Sequence, residues 1–126
     1  MRIDRIDHLV LTVQDIDKTY DFYGRVLGMK IVTFGDGRIA LQCGGQEINL
    51  HRAGHEFEPK AAHPTPGSGD LCFITTAGLG EVLEHLYACN VEIVEGPVTR
   101  TGAQGRIESV YVRDPDGNLV EIARYL

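Results

Sequence analysis

Leu27-Gly28-Met29-Lys30-Ile31-Val32 and Cys89-Asn90-Val91-Glu92-Ile93-Val94 are two versions of one pattern. In each, an amphipathic stretch ends on a residue that tolerates the left-handed conformation after a helix, Gly28 or Asn90, and a β-type run follows. The two residues are 62 positions apart, and so are His8-Leu9 and Asp70-Leu71. Two agreements at one offset predict an internal duplication, and that decides the architecture.

Working outward, Ile6 to Val13 alternates as a strand. Asp15 can cap a helix whose inward face is Ile16, Tyr20, Tyr23 and Leu27. Three strands are expected next, at Met29 to Phe34, Arg38 to Cys43 and Gln46 to His51, joined by glycine turns. The second half predicts a strand from Leu71 to Thr75. A helix from Gly78 to Ala88 follows, with Leu79, Val82, Leu83 and Leu86 inward. Strands are expected at Val91 to Val94, Arg106 to Arg113 and Asn118 to Arg124, with a glycine-rich loop over 95–105. The expected fold is α+β, two tandem βαβββ modules at about 4–52 and 69–126. Residues 53–68, rich in proline and glycine, join them as a linker within one domain.

Composition bounds the function. The chain has 126 residues, 43% hydrophobic and 24% charged, which suits one globular domain. A net charge of −6 argues against a nucleic-acid partner or an anionic membrane surface. No apolar run approaches the roughly 20 residues of a membrane span, and no secretory signal is read at the start, so a cytoplasmic location is expected. Cys43, Cys72 and Cys89 are too far apart for a disulfide framework or a C-x-x-C motif. They read as small buried residues in a reducing compartment.

The duplication also places chemistry. His8 and Asp70 are equivalent positions opening the first strand of each module. Glu121 stands inside the apolar segment Asn118-Leu119-Val120-Glu121-Ile122-Ala123, where a carboxylate is an exception to strand propensity. Its counterpart in the first module is Asn49, with His51 two residues on and on the same face. His8, Asp70 and Glu121, with Asn49 or His51, form a candidate set for Fe²⁺, Mn²⁺, Ni²⁺ or Zn²⁺. Each has an ordinary structural reading beside it. Asp70 follows Gly67-Ser68-Gly69 and can be a turn residue, and Glu121 can face solvent if Val120 and Ile122 are the inward pair.

Asp7-His8-Leu9-Val10-Leu11-Thr12-Val13, Tyr23 with Val26-Leu27-Gly28-Met29, and Asp114-Pro115-Asp116-Gly117-Asn118-Leu119-Val120-Glu121 together resemble the vicinal oxygen chelate superfamily. The resemblance spans the whole chain. Within the superfamily, His63 to Ser68, Asp70 to Ile74 and Arg100 to Ala103 look like the branch of glyoxalase-domain-containing protein 5 and its dioxygenase-related bacterial relatives. It implies two curved sheets cupping one divalent metal, with His8, Asn49, Asp70 and Glu121 at the ligand positions, and commonly a homodimer. The chain departs from the pattern twice. Asn49 stands where glyoxalase I has a carboxylate, and Asp70 stands where several members have histidine.

The chemistry the resemblance implies is bidentate binding of a small molecule with adjacent oxygens. A glyoxalase- or lyase-like reaction with Glu121 as the proton-moving carboxylate leads. An extradiol-type ring-cleaving dioxygenase is the alternative and requires His51 at the metal beside His8 and Glu121. A non-catalytic small-molecule-binding protein is the third reading. Arg100 and Arg106, on the expected 97–106 loop, are candidates for holding an anionic group, and Tyr111 is expected to face Glu121 across a hairpin. His55, His63 and His85 are read as surface residues.

Overall fold

The computed structural model describes residues 1–126. They divide into two compact units, Met1–Pro66 and Gly67–Leu126. The fold is α+β, and each unit holds one βαβββ module with a four-stranded mixed sheet.

In the first unit β1 (His8–Val13) leads to a short helix, α1 (Ile16–Tyr20), and then to β2 (Lys30–Phe34), β3 (Arg38–Cys43) and β4 (Gln46–Arg52). The sheet order is β1-β4-β3-β2, with β1 parallel to β4 and the other pairs antiparallel. Asp15 caps α1 as its sequence position demands, its Oδ1 accepting from the Lys18 N–H at 3.1 Å. The expected single helix is not uniform. Asp21–Val26 widens into a π-helix, and the Leu27 N–H reaches back to the Phe22 carbonyl at 3.1 Å. The wider turn buries Phe22, Tyr23 and Val26, whereas the 3.6-residue spacing pointed to Ile16, Tyr20, Tyr23 and Leu27. Gly28 ends the segment at φ 73°, with the Met29 N–H bonded to the Tyr23 carbonyl at 2.9 Å. The sheet face carrying Leu11, Val13, Leu41, Ile48 and Leu50 is buried together with this helical segment.

The second unit repeats the order: β5 (Asp70–Ile74), α2 (Leu79–Ala88), β6 (Glu95–Gly102), β7 (Gly105–Arg113) and β8 (Leu119–Tyr125). Its sheet order is β5-β8-β7-β6, with β5 parallel to β8. The duplication holds in register. His8 pairs with Glu47 and Asp70 pairs with Leu119, so the offset is 62 on the first strand and 72 on the last. Asn90 takes a positive φ of 57°, as Gly28 does. From α2, Leu79 and Leu86 are buried, while Val82 and Leu83 are only half-buried.

Three further expectations are corrected. Val91 to Val94 is not a strand, and the supposed 95–105 loop is one: β6 pairs with β7 as a hairpin whose last pair is Gly102 with Gly105. The glycine content that signalled a loop instead goes with an irregularity at Gly96-Pro97, where the register shifts between Glu95 and Val98. Gly96 sits there at φ 111°, and a Cβ on it would lie 2.5 Å from the Ser109 carbonyl oxygen. The cysteines are also not all buried: Cys43 and Cys89 are half-buried and Cys72 is exposed. Cys72 lies on the sheet face away from the packed core, so strand alternation rather than its apolar character sets its environment.

Candidate functional site

The turn before β8 anchors the second unit's chemistry. Asp114 is buried, and its Oδ1 accepts the Asp116 and Asn118 backbone N–H groups, each at 2.9 Å. Its Oδ2 accepts from Asn118 Nδ2 at 2.7 Å. Asn118, itself buried, accepts the Gly69 N–H on Oδ1 at 2.7 Å, and the Leu119 N–H bonds the Gly69 carbonyl at 3.0 Å. The Asp-Pro-Asp-Gly-Asn segment thus ties the start of β8 to the start of β5. The register of Asp70 and Glu121 follows from that tie.

Along β8, Val120 and Ile122 enter the core and Glu121 lies on the opposite, open face, half-buried. The same face carries Asp70, Cys72 and Ile74 from β5 and Ile107, Ser109, Tyr111 and Arg113 from β7. Glu121 is flanked in register by Cys72 on one side and Tyr111 on the other. The fully buried Ser109 donates its hydroxyl to Glu121 Oε2 at 2.5 Å. Arg100 Nε donates to the Tyr111 hydroxyl at 3.2 Å, its guanidinium stands 5.6 Å from that ring's centre, and Glu95 lies 3.5 Å away. Burial and the charge of Glu121 push the Cys72 thiol up to about 11.

A depression of about 420 Å³ lies on this face, lined by Asp70, Glu95, Arg100, Tyr111, Arg113 and Glu121 among others. Arg106 is not part of it. It is exposed, pairs with Thr101, and alternation turns it to the opposite face from Arg100.

In the first unit, His8, Asn49 and His51 share the open face of the sheet at successive two-residue steps, opposite Glu47, Val10 and Thr12 respectively. His8 is exposed, and its Nδ1 lies 2.8 Å from an Asp7 carboxylate oxygen. Asn49 Oδ1 is buried with no hydrogen-bond partner. His51 is buried against Phe57, edge to face at 5.6 Å, and the Arg38 guanidinium stacks on that same ring at 4.5 Å. Burial, and then Arg38, hold His51 below the usual imidazole range. No three His, Cys, Asp or Glu side chains stand together in a way that would hold a metal ion. His55, His63 and His85 are exposed.

Sequence reasoning named Glu121, Asp70, Tyr111 and Arg100 but passed over Ser109, Cys72, Glu95 and Arg113, which share their face. The period-two alternation Ile107-Ser109-Tyr111-Arg113 was the signal for two of them.

A model of the Glyoxalase/Bleomycin resistance protein/Dioxygenase superfamily matches residues 5–122. Virulence protein STM3117 of Salmonella typhimurium is 59% identical over 126 residues, 100% of this chain and 88% of that protein. Its crystal structure matches with a TM-score of 0.98, covering 100% of both chains. The glyoxalase domain-containing protein RDO1 of Mycosarcoma maydis is 54% identical over 125 residues, 99% of this chain and 70% of that protein. Further away, the lactoylglutathione lyase of Pseudomonas aeruginosa is 27% identical over 148 residues, 94% of this chain and 81% of the lyase.

Proposed function

The chain belongs to the glyoxalase/bleomycin resistance protein/dioxygenase superfamily, and from that premise we propose that it is a glyoxalase- or lyase-like enzyme acting on a small molecule with adjacent oxygens. The observation that carries this reading is Glu121, a half-buried carboxylate on an open sheet face, oriented by the Ser109 hydroxyl and flanked by Tyr111. A carboxylate held this way can take the proton from a carbon beside a carbonyl and return it to the neighbouring carbon. Tyr111 and Arg100, already paired with each other, supply donors for the oxygen on which charge develops. Arg106, on the other face, has no part in this step.

A divalent ion (Fe, Mn, Ni or Zn) is the cofactor of this reading, with His8, Asp70 and Glu121 as its donors. An imidazole with two carboxylates suits such an ion, and the unpartnered Asn49 Oδ1 is a further oxygen donor. When bound, the ion would polarise the substrate's adjacent oxygens as a Lewis acid. No three such side chains stand together within either unit, and the proton-transfer step above uses only the chain's own side chains. His51 is engaged with Phe57, which weighs against the two-histidine site that ring cleavage requires. The same reading carries a cytoplasmic homodimer, which light scattering during gel filtration checks.

The test is deuterium exchange at the carbon next to the carbonyl of an α-hydroxy ketone, with metal content measured on the same samples. Glu121→Gln should slow exchange at least about a hundredfold, and about one ion per chain, lost in His8→Ala and Asp70→Ala, is expected. Exchange in Glu121→Gln as fast as in the natural chain would sink the assignment of Glu121. Binding without exchange in the natural chain would leave a small-molecule carrier.

A further inference from the structure

The open face of the second unit carries two depressions. Next to the charged one lies another of about 490 Å³, and Arg100, Tyr111 and Glu121 line both. These three residues form a wall between compartments of different chemistry. On the far side the lining is mostly apolar, with Ile74, Ile107, Gly102, Ala103 and the ring of Tyr125 beside Cys72 and Thr101.

The details of that lining point one way. Ile74 is a large apolar side chain left 51% exposed on the open face of β5, beside Cys72 and Glu121. Ile107, almost fully buried, is paired with Tyr125 on the same face. The Tyr125 hydroxyl accepts the Gln104 N–H at 3.1 Å, which holds the phenol's polar end at the hairpin turn and leaves its ring to line the space. The compartment exists because the β6–β7 hairpin is long. Its strands have 8 and 9 residues against 5 and 6 for β2 and β3 in the first unit. Gly102 keeps the compartment open, since a Cβ there would lie 3.0 Å from both Ile107 Cγ2 and Tyr125 Oη. Against this apolar side water finds fewer partners than at the Arg100–Tyr111–Glu121 wall, and an apolar group displaces it favourably. The volume falls within the range of roughly 300–1,000 Å³ of small-molecule sites.

We propose that the substrate carries a compact apolar arm, alkyl or aryl, joined to the head that bears its adjacent oxygens, and that the arm occupies the Ile74–Ile107–Tyr125 compartment while the head lies at Glu121. This rests on the reading of Glu121 given above. Ile74 and Gly102 are then specificity-determining residues: they select for the arm and take no part in the proton transfer.

The probes are hydroxyacetone and its two analogues in which butyl or phenyl replaces the methyl group. All three keep the same α-hydroxy ketone head. Affinity, measured by titration with nuclear magnetic resonance on the full chain, should rise about fourfold per added methylene, hence about sixtyfold for butyl. Ile74→Trp fills the compartment from an exposed position and should remove that gain while leaving hydroxyacetone binding unchanged. Gly102→Ala should reduce it in the same direction. A flat series, binding of none of the three probes, or a gain that survives Ile74→Trp would overturn the proposal. The failures are separable, because deuterium exchange of the hydroxymethylene group reads the head. A rising series without exchange overturns the role of Glu121 and keeps the compartment, and exchange with a flat series does the reverse.

Discussion

Asn118→Ala is the perturbation whose size follows most directly from the structure. The side chain is almost fully buried and makes two hydrogen bonds, each 2.7 Å long. One joins the Gly69 N–H at the head of β5, and the other joins the Asp114 carboxylate in the turn before β8. Alanine leaves both partners behind. A lost bond to a charged group costs about 1.5–3 kcal/mol, and a stranded, part-buried N–H about 1–2 kcal/mol. The expected loss is about 3–5 kcal/mol, a large share of the roughly 5–15 kcal/mol that holds a domain folded. At about 2.1 cal/mol/K of unfolding entropy per residue, 126 residues convert this to a fall in Tm of about 11–19 °C. Thermal and urea unfolding followed by circular dichroism measure it. Because Asp114 and Asn118 act in one network, Asp114→Ala with Asn118→Ala should cost at least about 1 kcal/mol less than the sum of the single changes. A single-variant loss under about 1 kcal/mol, or strict additivity of the pair, would refute the claim that this turn ties β5 to β8.

Three further outcomes are expected. At neutral pH Cys72, pushed up to about 11 from an ordinary 9.0, should carry about a hundredfold less thiolate than a free cysteine. It should alkylate slowly despite its exposure, and Glu121→Gln should speed that alkylation severalfold, as read by mass spectrometry of the modified peptide. His51 is held below the ordinary 6.5 by burial and then by Arg38, so its contribution to stability is full above about 6.5 and falls as pH drops through its lowered value. Urea midpoints between pH 7 and pH 4.5 should therefore decline less steeply in His51→Gln than in the natural chain. Gly96→Ala forces a Cβ to 2.5 Å from the Ser109 carbonyl oxygen at a φ of 111°. It should cost at least about 2 kcal/mol in the same unfolding assay, and a neutral result would mean that the bulge relaxes freely.

The fold was legible because its signals are local and repeated. Gly28 and Asn90 announce their left-handed positions by residue type, and the 62-residue offset returns as the actual strand register. What misled was punctuation. Gly96 and Pro97 fall in the stretch read as a glycine-rich loop, but they lie within β6 at a register irregularity flanked by pairing with β7. A proline in a strand looks identical in sequence whether or not its neighbours are paired. The π-helix at Asp21–Val26 was likewise invisible, since the 3.6-residue template fits those residues about as well. The candidate site was half legible. Glu121 stood out as a carboxylate in an apolar strand. Ser109, which orients it, is an ordinary serine in a β-run until cross-strand register brings its hydroxyl to 2.5 Å.

By itself, then, the sequence determined the duplication, the order of the strands and helices, and which strand positions alternate, because period and turn chemistry are properties of neighbouring residues. The tertiary structure alone decided that Arg100 meets Tyr111 while Arg106 turns away, and that His51 is held against Phe57. It alone decided that the open face beside Glu121 has an apolar side as well as a charged one. Those outcomes depend on hydrogen-bond register between distant strands, where a shift of one residue reverses every side chain, and no local pattern encodes that shift.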